Sequence, residues 1–274
     1  MGRLYRILHF SDIHAGLLDF HWGYLADKRL FGSLTQLFLR SWKLRLERLD
    51  ALAALQKRLA PDITVFTGDL GSIGSEAEFA NAARLLEPIR ANARGNFLFV
   101  PGNHDAYVPV CQPALAEICR RLNGGRLDAE AFPAVISDGP VEFVALNPSR
   151  PAPVWLSDGA MTDAVWAKVG YILQNPAPAG KTRLLLTHFP LVNAFGKAVG
   201  VRRRMRDGGR LLRLCRQGGV RAILSGHIHH PFIQETAADG PLQLCAGSLT
   251  LAGACIQVDV DTEAGTIVPR IIRL

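Results

Sequence analysis

The chain has 274 residues, of which 49% are hydrophobic and 20% charged, and its formal net charge is +7. A chain of this length can bury a sizeable core, and it fits one large domain or one domain with an insertion. The positive charge favours anionic partners such as phosphates, nucleic acid or an acidic lipid surface, without choosing among them.

Cysteine usage and the apolar stretches bear on the compartment. Five cysteines, an odd number with no CxxC pair, argue against a disulfide framework and favour a reducing compartment. The N-terminal apolar stretch is too short for a signal peptide, and the apolar run LFGSLTQLFL ends at Arg40, short of the roughly 18 residues that span a bilayer. We therefore expect a cytoplasmic protein that is not an integral membrane protein.

Short apolar runs alternate with helical patterns along the chain. Helices are predicted over 43–59, 76–90 and 209–217, which gives an α/β order of elements. After Pro231 the pattern changes to LQLCAGSLT and ACIQVDVD, which suggest a second, partly antiparallel sheet. The runs predicted as strands buried on both faces are YRILHF, ITVFTG, NFLFVPG, VEFVALN, TRLLLTH and RAILSGH.

The stretch FHWGYLADKRLFGSLTQLFLRSW fits no strand. It is either a pair of short helices whose apolar face covers the core, or a cap or interfacial helix beside a lipid or a lipophilic substrate. We predict a single domain over 1–274 with a helical cap-like insertion at 20–45. Contact with the inner face of a membrane through this insertion stays an alternative.

Metal-capable side chains follow five of the six apolar strands, at the point where each strand ends. The motifs are SDIH, GDL, GNHD, HFP and GHIHH. Any one of them could be a helix cap, a core histidine or a turn, but the carboxyl ends of strands converge in α/β sheets. Burying so many carboxylates and imidazoles together without a cation costs several kcal/mol. Imidazole, carboxylate and amide donors without thiolate suit Fe, Mn or Zn.

Spacing within the motifs predicts which side chains act together. On an extended backbone, the side chains of Asp12 and His14 point in the same direction and can bind one ion. The side chains of His227 and His229 are expected to share a direction for the same reason. His230 falls on the opposite phase, so we expect it to support the site or lie at the surface rather than bind metal.

The ordered motifs resemble those of the calcineurin-like metallophosphoesterases, whose pattern is D-x-H, G-D, G-N-H-[DE], H and G-H-x-H. The resemblance covers about 12–230. It implies an α/β fold in which a β-sandwich of two mixed sheets is flanked by helices, in four αββα layers, with a dinuclear centre at one edge. One ion would be held by Asp12, His14 and His229, the other by Asn103, His188 and His227, and Asp69 would bridge them.

The resemblance also implies the chemistry. A hydroxide shared by the two ions, of Mn, Fe or Zn, would attack phosphorus in line. His104 would stabilise charge or protonate the leaving oxygen. Asp105 would either orient His104 or cap the following turn.

Substrate choice rests on two further features. The GNHD form is similar to the cyclic-nucleotide phosphodiesterase branch, whereas UDP-diacylglucosamine hydrolases typically carry arginine at the position of His104. The second feature is a basic loop that carries Arg202, Arg203, Arg204 and Arg206. This loop is either solvated or binds a substrate phosphate through these arginines. It precedes a helix that Asp207 is predicted to cap.

We therefore predict a hydrolase, a metal-dependent phosphoesterase acting on a small phosphodiester or phosphomonoester. The alternatives are a UDP-diacylglucosamine-type pyrophosphate hydrolase, a nuclease, and a metal-poor protein-binding scaffold. Nucleic acid is disfavoured as a partner because the sequence has no aromatic-basic groove signature and no companion domain. Oligomeric state is left open by the sequence.

Overall fold

The computed structural model describes residues 4–16, 28–30, 44–94, 96–127, 130–261 and 263–274. The predicted cap-like insertion at 20–45 therefore lies outside the described residues, apart from 28–30 and 44–45. In chain order the elements are β1 (Leu4–Phe10), α1 (Arg48–Leu59), β2 (Ile63–Phe66), α2 (Glu76–Asn92), β3 (Phe97–Phe99), a 3-10 turn (Pro109–Cys111), α3 (Gln112–Leu122), β4 (Ala134–Asp138), β5 (Val141–Ala145), α4 (Asp163–Gln174), β6 (Thr182–Leu186), α5 (Gly208–Gln217), β7 (Val220–Ser225), β8 (Phe232–Glu235), β9 (Leu242–Cys245), α6 (Leu249–Ala252), β10 (Ala254–Asp261) and β11 (Ile267–Arg273).

The strands form two mixed sheets. The first has the order β11-β10-β1-β2-β3, with β1, β2 and β3 parallel and the other two strands antiparallel. The second has the order β4-β5-β6-β7-β9-β8, in which only the two edge strands are antiparallel. The six apolar runs thus divide between two sheets, three to each.

Apolar side chains of both sheets fill the space between them. Ile7 and Val65 of the first sheet belong to the same buried cluster as Phe143, Leu184 and Leu224 of the second. Helices cover the outer faces: α1, α2 and α3 pack on the first sheet, and α4 and α5 pack on the second. The predicted four-layer αββα sandwich is confirmed.

Local sequence explains where the helices form. In α1, Leu49, Leu52 and Leu55 recur at helical spacing and are buried, so this face packs on the sheet. The helix α2 begins after Ser75, whose Oγ accepts a hydrogen bond from the Glu78 N–H at 3.2 Å. Among the described residues, no helix is long and apolar enough to cross a membrane.

The prediction of a separate sheet after Pro231 is wrong. The strand β9 lies parallel to β7, with Ala222 opposite Leu242, and β10 lies antiparallel to β1, with Leu4 opposite Asp261. The physical reason is that β1 is buried through most of its length. Without β10, one edge of β1 would bury unpaired N–H and C=O groups.

Candidate metal centre

The carboxyl ends of β1, β2, β3, β6 and β7 meet at one edge of the sandwich, and the loops that follow them interlock. The Asp12 N–H donates to the Gly68 carbonyl at 2.9 Å, and the Gly226 N–H donates to the His188 carbonyl at 3.0 Å. The His227 N–H donates to Asp12 Oδ2 at 3.0 Å across the two sheets. This edge therefore brings together all seven predicted ligands: Asp12, His14, Asp69, Asn103, His188, His227 and His229.

Four of these residues have a left-handed backbone. The φ angles are 52° at Asp12, 45° at His14, 62° at Asp69 and 67° at His227. The prediction that paired ligands share an extended backbone is therefore wrong at Asp12, His14 and His227. Such conformations cost on the order of 1–3 kcal/mol each and persist where surrounding contacts impose them, as is common at functional sites.

The first group of predicted ligands is Asp12, His14 and His229. The His14 Nδ1 lies 3.1 Å from the Gly71 carbonyl, to which it donates, so Nε2 carries a lone pair. This Nε2 lies 3.1 Å from His229 Nε2 and 3.7 Å from Asp12 Oδ1. Asp12 Oδ1 is 3.4 Å from His229 Nε2, and it is buried without a hydrogen-bond partner.

The second group is Asn103, His188 and His227. The His188 Nδ1 donates to the Thr67 carbonyl at 2.6 Å, which directs Nε2 towards Asn103 Oδ1 at 3.1 Å. Asn103 Oδ1 also lies 2.8 Å from His227 Nδ1. Asn103 Oδ1 therefore lies within 3.1 Å of a ring nitrogen of each of the two histidines.

Asp69 lies between the two groups. Its Oδ2 is 3.3 Å from His188 Nε2 and 3.9 Å from His14 Nε2. Its Oδ1 accepts the His104 N–H at 2.9 Å, which fixes the carboxylate. This position is the one expected of a bridging ligand.

The electrostatics of the site favour positive charge. Burial opposes ionisation of Asp69, but His188 and His104 hold the pKa of that carboxyl well below its usual value. Burial likewise opposes protonation of His188, yet Asp69 and then Asp12 raise the pKa of that ring to about 9. Burial lowers the pKa of His14 to about 3, so this imidazole is neutral and able to bind a cation.

These donors fit a pair of transition-metal ions. Asp12 Oδ1 is a buried carboxylate oxygen with no hydrogen bond, and an imidazole lone pair faces it. A proton on His188 and a cation compete for the same position between Asp69 and Asn103. Nitrogen and oxygen donors without thiolate suit Mn, Fe or Zn.

Glycine is required where the ligand loops touch. A Cβ at Gly226 would lie 1.9 Å from Ser11 Oγ and 2.3 Å from Asp12 Oδ2. Gly68, at φ 94°, would place a Cβ 2.3 Å from the Gly102 nitrogen. The glycines that precede Asp69 and His227 in the sequence motifs therefore permit close contact between loops.

His104 and Asp105 occupy different settings. The His104 Nδ1 donates to the Ser72 carbonyl at 2.6 Å. The Asp105 carboxylate instead accepts the backbone N–H groups of Asp69, Leu70 and Gly102 at 2.8–2.9 Å. These bonds tie the loop that carries Asp69 to the loop that carries Asp105. Burial, reinforced by Asp69, raises the pKa of Asp105 to about 7.

The predicted substrate-binding arginines lie on the loop that precedes α5. Arg202, Arg203 and Arg204 are exposed, and the backbone of this loop pairs with residues 157–159. Arg206 Nε donates to the buried Asp158 at 2.5 Å, so it secures the loop. The prediction of a side-chain cap by Asp207 is wrong: Asp207 precedes α5, but its φ is 55° and its side chain makes no capping hydrogen bond.

Several groups that support the site were not predicted from the sequence. The backbone carbonyls of Thr67, Gly71 and Ser72 orient three imidazoles, and a sequence motif contains no information about backbone carbonyls. Tyr107 stacks on His104 with an interplanar angle of 9°, and only its position after GNHD could have indicated it. His230 is exposed, as predicted.

Comparison with known proteins places the chain among phosphoesterases. Residues 5–231 match the family model of the calcineurin-like phosphoesterases. A cAMP/cGMP dual specificity phosphodiesterase of Mycobacterium tuberculosis is 32% identical over 226 residues, covering 82% of this chain and 62% of that protein. A probable cyclic nucleotide phosphodiesterase of Rhodococcus erythropolis is 30% identical over 261 residues, covering 94% and 74%. The chain thus spans less than two thirds of the mycobacterial relative.

Solved structures show the same fold at low sequence identity. A dimetal phosphatase from Danio rerio matches with a TM-score of 0.56 and 14% identity over 98% of each chain. A purple acid phosphatase from yellow lupin matches with a TM-score of 0.57 and 13% identity, covering all of this chain and 54% of that one. The ordered motifs, the two-sheet sandwich and the match over 5–231 lead to one conclusion: this chain belongs to the calcineurin-like phosphoesterase family.

Proposed function

We propose that this protein is a metal-dependent phosphodiesterase that hydrolyses a small phosphoester, with cyclic nucleotides as the first candidate substrate class. The observation that carries the proposal is the position of Asp69 between two groups of nitrogen and oxygen donors. The names of the two relatives support the cyclic-nucleotide class.

In this proposal each donor group would hold one ion of Mn, Fe or Zn. Asp12, His14 and His229 would hold the first, Asn103, His188 and His227 would hold the second, and Asp69 would be shared. When bound, such ions polarise the phosphoryl oxygens and activate water as the nucleophile. The protein sets the ligand positions in advance through the carbonyls that orient each ring.

His104 is proposed to donate a proton to the leaving oxygen. Its Nδ1 proton is held by the Ser72 carbonyl in either charge state of the ring, so exchange takes place at Nε2. Its backbone N–H holds Asp69 Oδ1 at the same time, which ties the ring to the bridging carboxylate. Asp105 keeps the loops of Asp69 and His104 together, and its role is positional.

The exposed arginines are proposed to contact a substrate phosphate at the rim. Support comes from their path: the loop pairs with Gly159, which packs on Phe189, and the Phe189 ring lies 4.7 Å from that of His227. Replacing Arg202, Arg203 and Arg204 with alanine should raise KM and leave the metal content intact. Unchanged KM would remove this loop from substrate binding.

A hydrolysis panel tests the proposed function. Protein loaded with Mn²⁺ is offered bis(4-nitrophenyl) phosphate, 4-nitrophenyl phosphate, cAMP, a UDP-linked lipid, and single- and double-stranded DNA. We expect turnover of the diesters that EDTA abolishes and Mn²⁺ restores. Turnover of DNA alone would indicate a nuclease, and no turnover together with no bound metal would indicate a scaffold.

We also propose a cytoplasmic location. The five cysteines are free thiols and all are buried, which supports the expectation of a reducing compartment.

A further inference from the structure

A buried carboxylate at the start of α2 binds the backbone of the segment that precedes the helix. Glu78 is 1% exposed, and its Oε2 accepts the N–H groups of Ser72, Ile73 and Gly74 at 3.1, 2.9 and 2.9 Å. Its Oε1 accepts the Ser72 N–H at 3.0 Å. Ser75 and Glu78 have the spacing of a capping box, whose last residue reaches back to the N–H of the first. This carboxylate reaches beyond Ser75, so it fixes the preceding segment as well as the helix end.

The segment 71–74 carries two of the three carbonyls that orient imidazoles at the candidate metal centre. The Gly71 carbonyl accepts a hydrogen bond from His14 Nδ1 at 3.1 Å, and the Ser72 carbonyl accepts one from His104 Nδ1 at 2.6 Å. Glu78 packs directly against the segment, because a Cβ at Gly71 would overlap with the Glu78 carboxylate. The glutamate and the two imidazoles therefore bind the same short stretch of backbone.

Each of these two carbonyls shares a peptide group with an N–H that Glu78 binds. The peptide groups of the segment are trans, so each is planar and its N–H and C=O point in opposite directions. The bond to the Ser72 N–H therefore fixes the direction of the Gly71 carbonyl. The bond to the Ile73 N–H fixes that of the Ser72 carbonyl in the same way. The carboxylate acts from one side of the segment, and the imidazoles bind its other side.

We propose that Glu78 is a positioning residue for both His14 and His104, acting through the two carbonyls of this segment. The inference rests on the proposed function for the role of His104, whereas the role of His14 needs only a bound cation. A hydrogen bond to the second nitrogen of a ligating imidazole fixes its tautomer and strengthens metal binding. His188 is oriented by the Thr67 carbonyl instead, so loss of Glu78 should weaken one group of donors and spare the other.

Nitrogen NMR of the metal-free protein tests the orientation of the rings without turnover. In the wild-type protein at mildly alkaline pH, His14 and His104 should each carry their proton on Nδ1. Glu78→Ala should shift both rings towards a mixture of tautomers. Leu86→Ala, at a buried position further along the same helix, is the matched control for stability. It should lower the Tm and leave both tautomers unchanged.

Calorimetric titration with Mn²⁺ measures the consequence for metal binding. Glu78→Ala should weaken one of two Mn²⁺ sites about tenfold, as is typical when the hydrogen-bond partner of a ligating imidazole is lost. The same substitution in a His14→Ala background should have no further effect, because the Gly71 carbonyl then has no imidazole to orient. Glu87→Gln, an exposed glutamate on the same helix that pairs with Arg90, should bind Mn²⁺ as the wild-type protein does.

Glu78→Gln replaces the alanine variant if that one misfolds. Its amide oxygen can still accept the Ile73 and Gly74 N–H groups, so its effects should have the same direction and a smaller size. Unchanged tautomers and unchanged Mn²⁺ affinity would overturn the inference. Equal effects from Leu86→Ala at the same loss of Tm, or a tenfold effect that persists without His14, would overturn it as well. Failure of the proposed function is a separate result: the tautomers would respond to Glu78→Ala while the wild-type protein hydrolyses no phosphoester of the panel.

Discussion

Replacing Asp69 with asparagine tests the bridging position most selectively. The substitution keeps the size of the side chain, and the amide oxygen can still accept the His104 N–H. It removes the negative charge that lies 3.3 Å from His188 Nε2 and 3.9 Å from His14 Nε2. The fold should survive, because only charge is lost.

The magnitude follows from the pKa of His188. Asp69 is the largest influence that raises this pKa, which moves from an ordinary 6.5 to about 9 in spite of burial. That rise corresponds to about 3 kcal/mol in favour of a positive charge at this ring. A divalent cation bound by the same carboxylate should lose at least this much binding free energy when the charge is removed. Activity should therefore fall at least about a hundredfold.

Two measurements check this prediction: the metal content of the purified variant and the rate of bis(4-nitrophenyl) phosphate hydrolysis with added Mn²⁺. The matched control is Asp259→Asn, a carboxylate on β10 that pairs with Arg6 away from the ligand loops, and it should keep full activity. An Asp69→Asn protein with near wild-type activity would refute the bridging role.

Three further substitutions test the loops at the candidate metal centre and the buried imidazole of His9. Gly226→Ala should reduce metal content and lower activity about a hundredfold, since its methyl group would displace Asp12, whereas Gly170→Ala on α4 meets no atom and should be neutral in both assays. Burial lowers the pKa of His9 to about 3, so the unfolded chain binds the extra proton and stability falls as pH drops from 6.5 towards 3. In urea unfolding of the metal-free protein, His9→Gln should make this fall less steep by about 1.4 kcal/mol per pH unit, and an unchanged slope would contradict the assignment. Asp105→Asn, which turns an acceptor of three N–H groups into a poorer one, should lower the free energy of unfolding by about 1–3 kcal/mol, visible as a reduced Tm.

Sequence reasoning found the residues that cluster at one edge of the sandwich because five of the six apolar strands are followed by a side chain that can bind a metal ion. Asp12, Asp69 and His188 needed only their residue type and their place after a buried strand. The four-layer fold came from resemblance to a family; the order of elements alone indicated no more than an α/β protein.

Backbone conformation and strand pairing could not be predicted in the same way. The left-handed backbone at Asp12 and His227 depends on contacts between loops more than 200 residues apart, which no local pattern contains. The pairing of β10 with β1 depends on which buried edge lacks a partner, and that is a property of the assembled sheet. Lys28 contacts the Tyr107 ring from the stretch predicted as a helical cap-like insertion, and no motif indicated this contact.

The central claim is that two ions share Asp69. An anomalous difference map from a crystal of the Mn²⁺-loaded protein tests it directly. We predict two peaks about 3.5–4 Å apart, one among Asp12, His14 and His229 and one among Asn103, His188 and His227, with Asp69 touching both. A single peak, or two peaks that Asp69 does not join, would contradict this account.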